Sequence, residues 1–388
     1  MDARVRIVPP VCLKRCRGAR QFALVAVVVA AFAACDTSAP PGFWSAVISD
    51  PKTFNPILVT DRGSGEAVAP VFDMLVRRDP VTLEIEPVLA TRWEHDESGK
   101  EWTFHLRPNV KWHDGTPFTA ADVVFTFRAI FDARVPNSAK HVLTVDGEPL
   151  KVDAVDELTV RFVLPRRFAP LLASLGVEIL PSHLLASALE AGTLAHTWGI
   201  DTPPQEIVGT GPYRLAQYVP AQFLRYERNP NYWMRDDADQ PLPYLPGRTV
   251  LIVSDQNAAY LKFLARQTHS HVPRPEEVHE LESQADALGI KLDEIGIDSS
   301  SLFVTFNRNP KHFVKDGIED PKLRWFTDPN FLRALAHAVD KESIVRNCLA
   351  GEGRPATAQI SPANRVFHHP GLKDYAYDLD AARAALGV

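Results

Sequence analysis

The sequence predicts a mixed α/β protein built in several lobes, and three observations lead there. Segments of period two and segments of helical period alternate along the chain without strict βαβ regularity, which points to mixed sheets. The 388 residues are enough for two or three lobes of about 100–200 residues each. The 32 prolines imply long ordered loops rather than a helix bundle. A hydrophobic content of 45% and a charged content of 23% place the chain among ordinary globular proteins.

The elements follow in order. Residues 1–21 hold six basic side chains against one acid, Asp2, and residues 22–34 run without a polar group. A basic region, a short apolar stretch and small residues before a cut make a secretory signal. Thirteen apolar residues fall short of the ~20 that a membrane-spanning helix needs. Ala33, Ala34 and Cys35 suggest a lipoprotein acylated on Cys35, with plain secretion as the alternative. The signal's charge leaves the remainder near −11, which argues against a nucleic-acid partner. Cys12, Cys16 and Cys35 lie in or at the end of the signal, so only Cys348 remains beyond it and no internal disulfide can close.

Residues 36–42 read as a tether and 43–49 as a strand closed by Asp50-Pro51. Trp102, Phe104 and Leu106 alternate with polar residues, the pattern of a half-buried strand. Thr119 with Asp122 three residues on forms a capping box ahead of a helix whose apolar face is Val123, Phe127, Ile130 and Phe131. Leu158, Val160, Phe162 and Leu164 mark another strand. Residues 213–218 and 223–227 read as a hairpin, and 249–253 as a buried strand. Helices are expected over 256–266, over the stripe Val278, Leu281, Ala285 and Leu288 ended by Gly289, and over 331–339 and 342–349. Residues 303–306 are expected to form a strand.

The run 106–127, LRPNVKWHDGTPFTAADVVFTF, resembles a signature of the family 5 solute-binding proteins of ABC importers, the dipeptide-, oligopeptide- and nickel-binding receptors. VGTGPY at 208–213, ERNPNYW at 227–233, SDQNA at 254–258 and the helix pair at 334–355 are similar to further motifs of that family, in its order, and TFNP at 53–56 to its first loop. The resemblance covers about residues 43–388. It implies a two-lobe periplasmic-binding-protein fold, type II-like, with a small extra domain. The implied division is a signal at 1–34, a tether at 35–42, a first lobe from 43–60 and 170–255, a small inserted domain at 61–169, and a second large lobe at 256–388. Family members carry a further long segment, so the second lobe is expected to be incomplete here and ligand binding weak. FTDPNFL at 326–332 is less charged than the family's usual lead-in to its helix.

The function so implied is capture of short peptides between lobes that close on the ligand, followed by delivery to ABC permease subunits. The protein would be a monomer outside the cytoplasm, held to the membrane by the lipid. Binding a chelated metal or another small organic solute is the alternative within the family. For the cleft, Thr60, Asp61, Arg62, Gly63 and Ser64 are the first-lobe candidates. Gly63 would permit close backbone approach, and Asp61 and Arg62 could face a zwitterion. Asn307, matching a cleft-facing position, is the second-lobe candidate. For each, an ordinary turn or strand-end cap is the competing reading.

A secreted hydrolase is the rival from another class. His279-Glu280 opens like H-E-x-x-H, but Ser283 stands where the second histidine belongs. Gly63-Ser64-Gly65 is too short for a nucleophile elbow. Gly209-Thr210-Gly211-Pro212 lacks the Lys-Ser/Thr of a phosphate loop and reads as a structural turn. Cys348 falls on an apolar helical face and is expected in the core. His368-His369 could ligate a chelate, and His95, His105 and His113 show no ligand spacing. No catalytic residue, resident metal or cofactor is expected.

Overall fold

The computed structural model describes residues 41–80, 82–294, 301–315, 318–365 and 367–387. The expected signal segment and Cys35 lie outside the described residues. The chain enters through β1 (Phe43–Val47). Strands β2 (Ala90–His95), β3 (Glu101–Leu106), β4 (Lys151–Asp156) and β5 (Thr159–Val163) form an antiparallel sheet in the order β2-β3-β5-β4. Its register sets Phe104 opposite Trp93 on one side and Val160 on the other. Phe104 and Phe162 are fully buried and meet edge to face at 5.1 Å, so the period-two pattern of both strands delivers one apolar face.

Strands β6 (Tyr213–Val219) and β7 (Phe223–Arg228) make the expected hairpin, and β8 (Gly247–Ile252) follows. They join β1 in a second sheet of order β1-β8-β7-β6. β1 runs parallel to β8, and the other pairs are antiparallel. Among the described residues β1 therefore stands at the edge of this sheet.

The helices that matter are α1 (Arg62–Val68), α2 (Ala120–Phe131), α3 (Ser182–Ala191), α4 (Gln256–Leu264), α5 (Pro275–Leu288), α6 (Pro329–Ala338), α7 (Lys341–Cys348) and α8 (Leu379–Leu386). The capping box of α2 is present, and Asp122 does more than cap. Its carboxylate accepts from Thr119 N, from the Trp112 indole at 3.3 Å, and from the amide and hydroxyl of Ser182 at 2.9 and 2.6 Å. One buried acid thus fastens the start of α2 to the start of α3. Gly289, at a φ of 62°, ends α5 as the sequence predicts.

One continuous core runs from Phe54 to Val250 and draws on both sheets, α1, α2 and α3. Beyond Val253 the buried apolar side chains among the described residues are few: Ala259, Tyr260, Leu281, Ala334 and Ala382. Two expectations fail in this region. Residues 303–306 form no strand. Leu302, Phe303 and Val304 lie exposed, and among the described residues no ladder partner stands beside them, which is what a strand requires. Cys348 is exposed rather than in the core, because α7 buries none of its residues. α6 and α8 lie side by side and leave a shallow apolar groove lined by Phe331, Ala334, Leu335, Ala338, Leu379 and Leu386.

Candidate ligand-binding site

The first-lobe candidates sit where the chain leaves β1 and turns into α1. Asp50 fixes this loop from below: its carboxylate accepts from the Tyr218 hydroxyl at 2.9 Å and from Ala221 N at 3.0 Å. Asn55 is fully buried, and its amide donates to Leu194 O and Thr197 Oγ1, both at 3.2 Å. Phe54 N donates to Trp198 O. TFNP is therefore an anchor into the core.

Asp61 caps α1, accepting from Ser64 N at 3.0 Å and the Ser64 hydroxyl at 2.8 Å. Burial pushes the Asp61 carboxyl up, but these two bonds and the charge of Lys52 outweigh it and hold the group below the usual carboxylate range. Ser64 is buried, and its hydroxyl also accepts from Lys52 N at 2.8 Å, so both its donor and an acceptor site are occupied. A Cβ on Gly63 would stand 2.8 Å from the carbonyl oxygens of Ser49 and Asp50; the close approach this glycine permits is to the protein's own main chain. Thr60 and Arg62 are exposed. The Arg62 guanidinium donates to Glu66 at 2.6 Å along the helix. Asn307 is exposed and accepts from Asn309 N at 3.0 Å, a local turn bond.

The motifs at 106–127, 208–213 and 227–233 meet in one place, and His113 is the reason. Its Nδ1 accepts from Gly209 N at 3.2 Å, its Nε2 donates to Gly211 O at 3.0 Å, and its own amide donates to Gly209 O at 2.9 Å. Asn229 donates to the same Gly211 carbonyl. Gly211 N donates to Val71 O, and a Cβ on Gly209 would fall 1.8 Å from that oxygen. The glycine loop is thus a structural turn pressed on residues 70–71. Burial drives the His113 pKa down to about 4, so the ring is neutral at pH 7 with one donor and one acceptor, as the two bonds demand.

Beside this knot Asp73 lies buried, accepting from the Trp233 indole at 3.0 Å and the Tyr232 hydroxyl at 3.4 Å. Burial pushes its carboxyl up against those bonds. Arg107 stacks over Trp233 at 4.2 Å. Sequence reasoning missed Asp73 and Arg107. The available signal was an acid inside the apolar run 67–76, since a buried charge needs partners elsewhere in the chain.

The hydrolase features do not assemble. His279 is almost fully exposed beside Glu282, and the Ser283 hydroxyl donates to Glu280 O within the helix. Among the described residues no three His, Cys, Asp or Glu side chains are grouped to hold a metal ion. His368 contacts Ile360 O, and His369 accepts from Gly371 N. No described helix is long and apolar enough to cross a membrane.

Residues 84–387 match the family model described as bacterial extracellular solute-binding proteins, family 5 Middle. The chain is 30% identical over 356 residues to the dipeptide-binding protein of Escherichia coli, covering 87% of this chain and 61% of that protein. Its backbone superposes on the binding protein DppA from Helicobacter pylori in complex with the peptide STSA with a TM-score of 0.67 at 24% identity, over 89% of this chain and 65% of that one. NikZ from Campylobacter jejuni in complex with Ni(L-His) gives a TM-score of 0.67 at 23% identity, over 89% and 62%. The chain therefore spans about three fifths of the length of the relatives it matches. The fold is that of the two-lobe periplasmic binding proteins. With its motifs locked together at His113, the chain belongs to the family 5 extracellular solute-binding proteins.

Proposed function

We propose that the protein is the substrate-binding component of an ABC importer, that it captures short peptides between two lobes, and that it hands them to membrane permease subunits. The observation that carries this reading is the family match across 84–387, together with the peptide held by the Helicobacter neighbour and the name of the E. coli relative. The lobes are assigned as 43–60 with 170–255 and as 256–388, with 61–169 as the inserted domain. Ligand that touches both lobes only when they are closed stabilises closure by its differential affinity. An extended peptide suits such a cleft because its main chain pairs with the protein's.

In the first lobe the open groups at the head of α1 are Thr60 and Arg62. Asp61, Gly63 and Ser64 shape the turn that presents them, and Asn307 is the proposed contact of the second lobe. Binding proceeds without turnover, as a monomer outside the cytoplasm, with Cys35 acylated at the membrane surface. A chelated nickel ion is a second reading, supported by the Ni(L-His) complex of the Campylobacter neighbour.

The test is titration of the purified chain with a mixed pool of di- and tripeptides and, separately, with nickel and histidine, read by native mass spectrometry. Peptides retained and recovered intact support the receptor. Retention of nickel-histidine alone replaces the ligand class, and cleaved peptides overturn the reading.

A further inference from the structure

Residues 267–271 carry two histidines, His269 and His271, with opposite hydrogen-bonding roles. His269 lies against β1, the edge strand. Trp44 N donates to His269 Nδ1 at 2.8 Å, and His269 N donates to Trp44 O at 2.7 Å. The imidazole ring also packs on Phe43, with centroids 5.5 Å apart. A main-chain N–H can only donate, so the facing ring nitrogen is bare.

His271 faces the other way. Its Nε2 lies 2.8 Å from Glu277 Oε2, and both side chains are buried, at 7% and 4% exposure. Glu277 also accepts from Arg274 Nε at 2.6 Å and Arg274 N at 2.9 Å, capping α5. Tyr260 and Phe263 of α4 pack on the His271 ring at 5.4 and 5.7 Å. Glu280 of α5 lies beside Tyr260.

We propose that residues 267–271 are an acid-released strap between the β1 edge and the α4–α5 pair, with His269 as its clasp. Protonation of His269 places hydrogens on both ring nitrogens and turns the acceptor for Trp44 N–H into a second donor. That bond cannot survive. His271 meets a carboxylate, which only accepts, so protonation there converts a hydrogen bond into an ion pair. Acid therefore frees the strap from the sheet while leaving it fastened to α5. The chain itself crosses from β8, which ends at Ile252, to α4, which starts at Gln256, and the strap is a second tether between the sheet and the helices. On the receptor reading, its release in acid favours the open cleft and loss of ligand.

Hydrogen exchange of the Trp44 amide in the full ligand-free chain tests the strap, at about pH 7.5 and about pH 5, on either side of the imidazole range. Rates are corrected for intrinsic exchange and compared with the Val250 amide of β8. The expected result is a loss of Trp44 protection of roughly tenfold or more on acidification, because the protonated ring no longer accepts from the amide. H269N, whose side-chain oxygen accepts at both pH values, should show no such relative loss, and H269A should be less protected than the wild type at about pH 7.5 and change little on acidification. An unchanged wild type, or the same loss in H269N, overturns the strap. Bound peptide lost in acid by the wild type but not by H269N extends the strap to ligand release. If exchange behaves as expected and no peptide binds at either pH, it is the receptor reading that fails.

Discussion

At the residue scale the most consequential side chain is His113. Its two ring nitrogens serve an amide and a carbonyl of one glycine loop, and burial holds its pKa at about 4. In the unfolded chain the same imidazole has its ordinary pKa near 6.5. Between those values the unfolded chain binds a proton that the folded chain refuses, so this group's contribution to stability is nearly level above about pH 6.5 and falls as pH drops toward about 4. Urea unfolding at about pH 7 and about pH 5 should show a loss of roughly 2 kcal/mol from this group. H113N, which lacks the titration, should begin less stable and lose correspondingly less on acidification; an equal loss would remove His113 as the cause. Asp122 offers a second residue-scale prediction. D122A leaves the buried Trp112 indole and the Ser182 donors without their acceptor, and should cost on the order of 3 kcal/mol in the same assay.

At the element scale α1 separates two glycines that the sequence cannot tell apart. A Cβ on Gly65 would find only Val59 Cγ1, at 3.7 Å, whereas one on Gly63 would press on the carbonyls of Ser49 and Asp50. G65A should stabilise the protein by about 0.5–1 kcal/mol, since alanine loses less entropy in a helix. G63A should destabilise it by about 1–3 kcal/mol, because the head of α1 must lift away from the β1 loop. Thermal denaturation of the two variants checks the opposite signs. G63A should also weaken peptide binding if Thr60 and Arg62 meet the ligand, because the lift displaces both.

At the scale of the whole molecule, burial is uneven. The core ends at Val250, while Leu302, Phe303, Val304, Trp325, Leu379 and Leu386 face solvent. Segments with few buried apolar contacts open at low free energy. Limited proteolysis should therefore cut first within 301–312 and leave a resistant fragment spanning about 42–252. A first cut inside β3 or β7 would contradict this ordering. The exposed apolar residues also predict self-association at high concentration, checked by light scattering.

Much of the architecture was legible in the sequence, because short-range chemistry decides it. Alternation at Trp102, Phe104 and Leu106 marks β3, the Thr119–Asp122 box starts α2, and Gly289 ends α5; each depends on neighbours within a few positions. The family could be read the same way, from ordered motifs. Only the tertiary structure decided what those motifs do. His113 lies about a hundred residues from Gly209 and Gly211, and nothing local says that its imidazole joins that turn or that Asn229 shares the Gly211 carbonyl. The same holds for Asp122 reaching Ser182, and for residues 303–306, whose strand pattern is unmatched by a ladder partner among the described residues. Local pattern states what a segment can bury or donate, and only long-range contact supplies the partner that makes the bond.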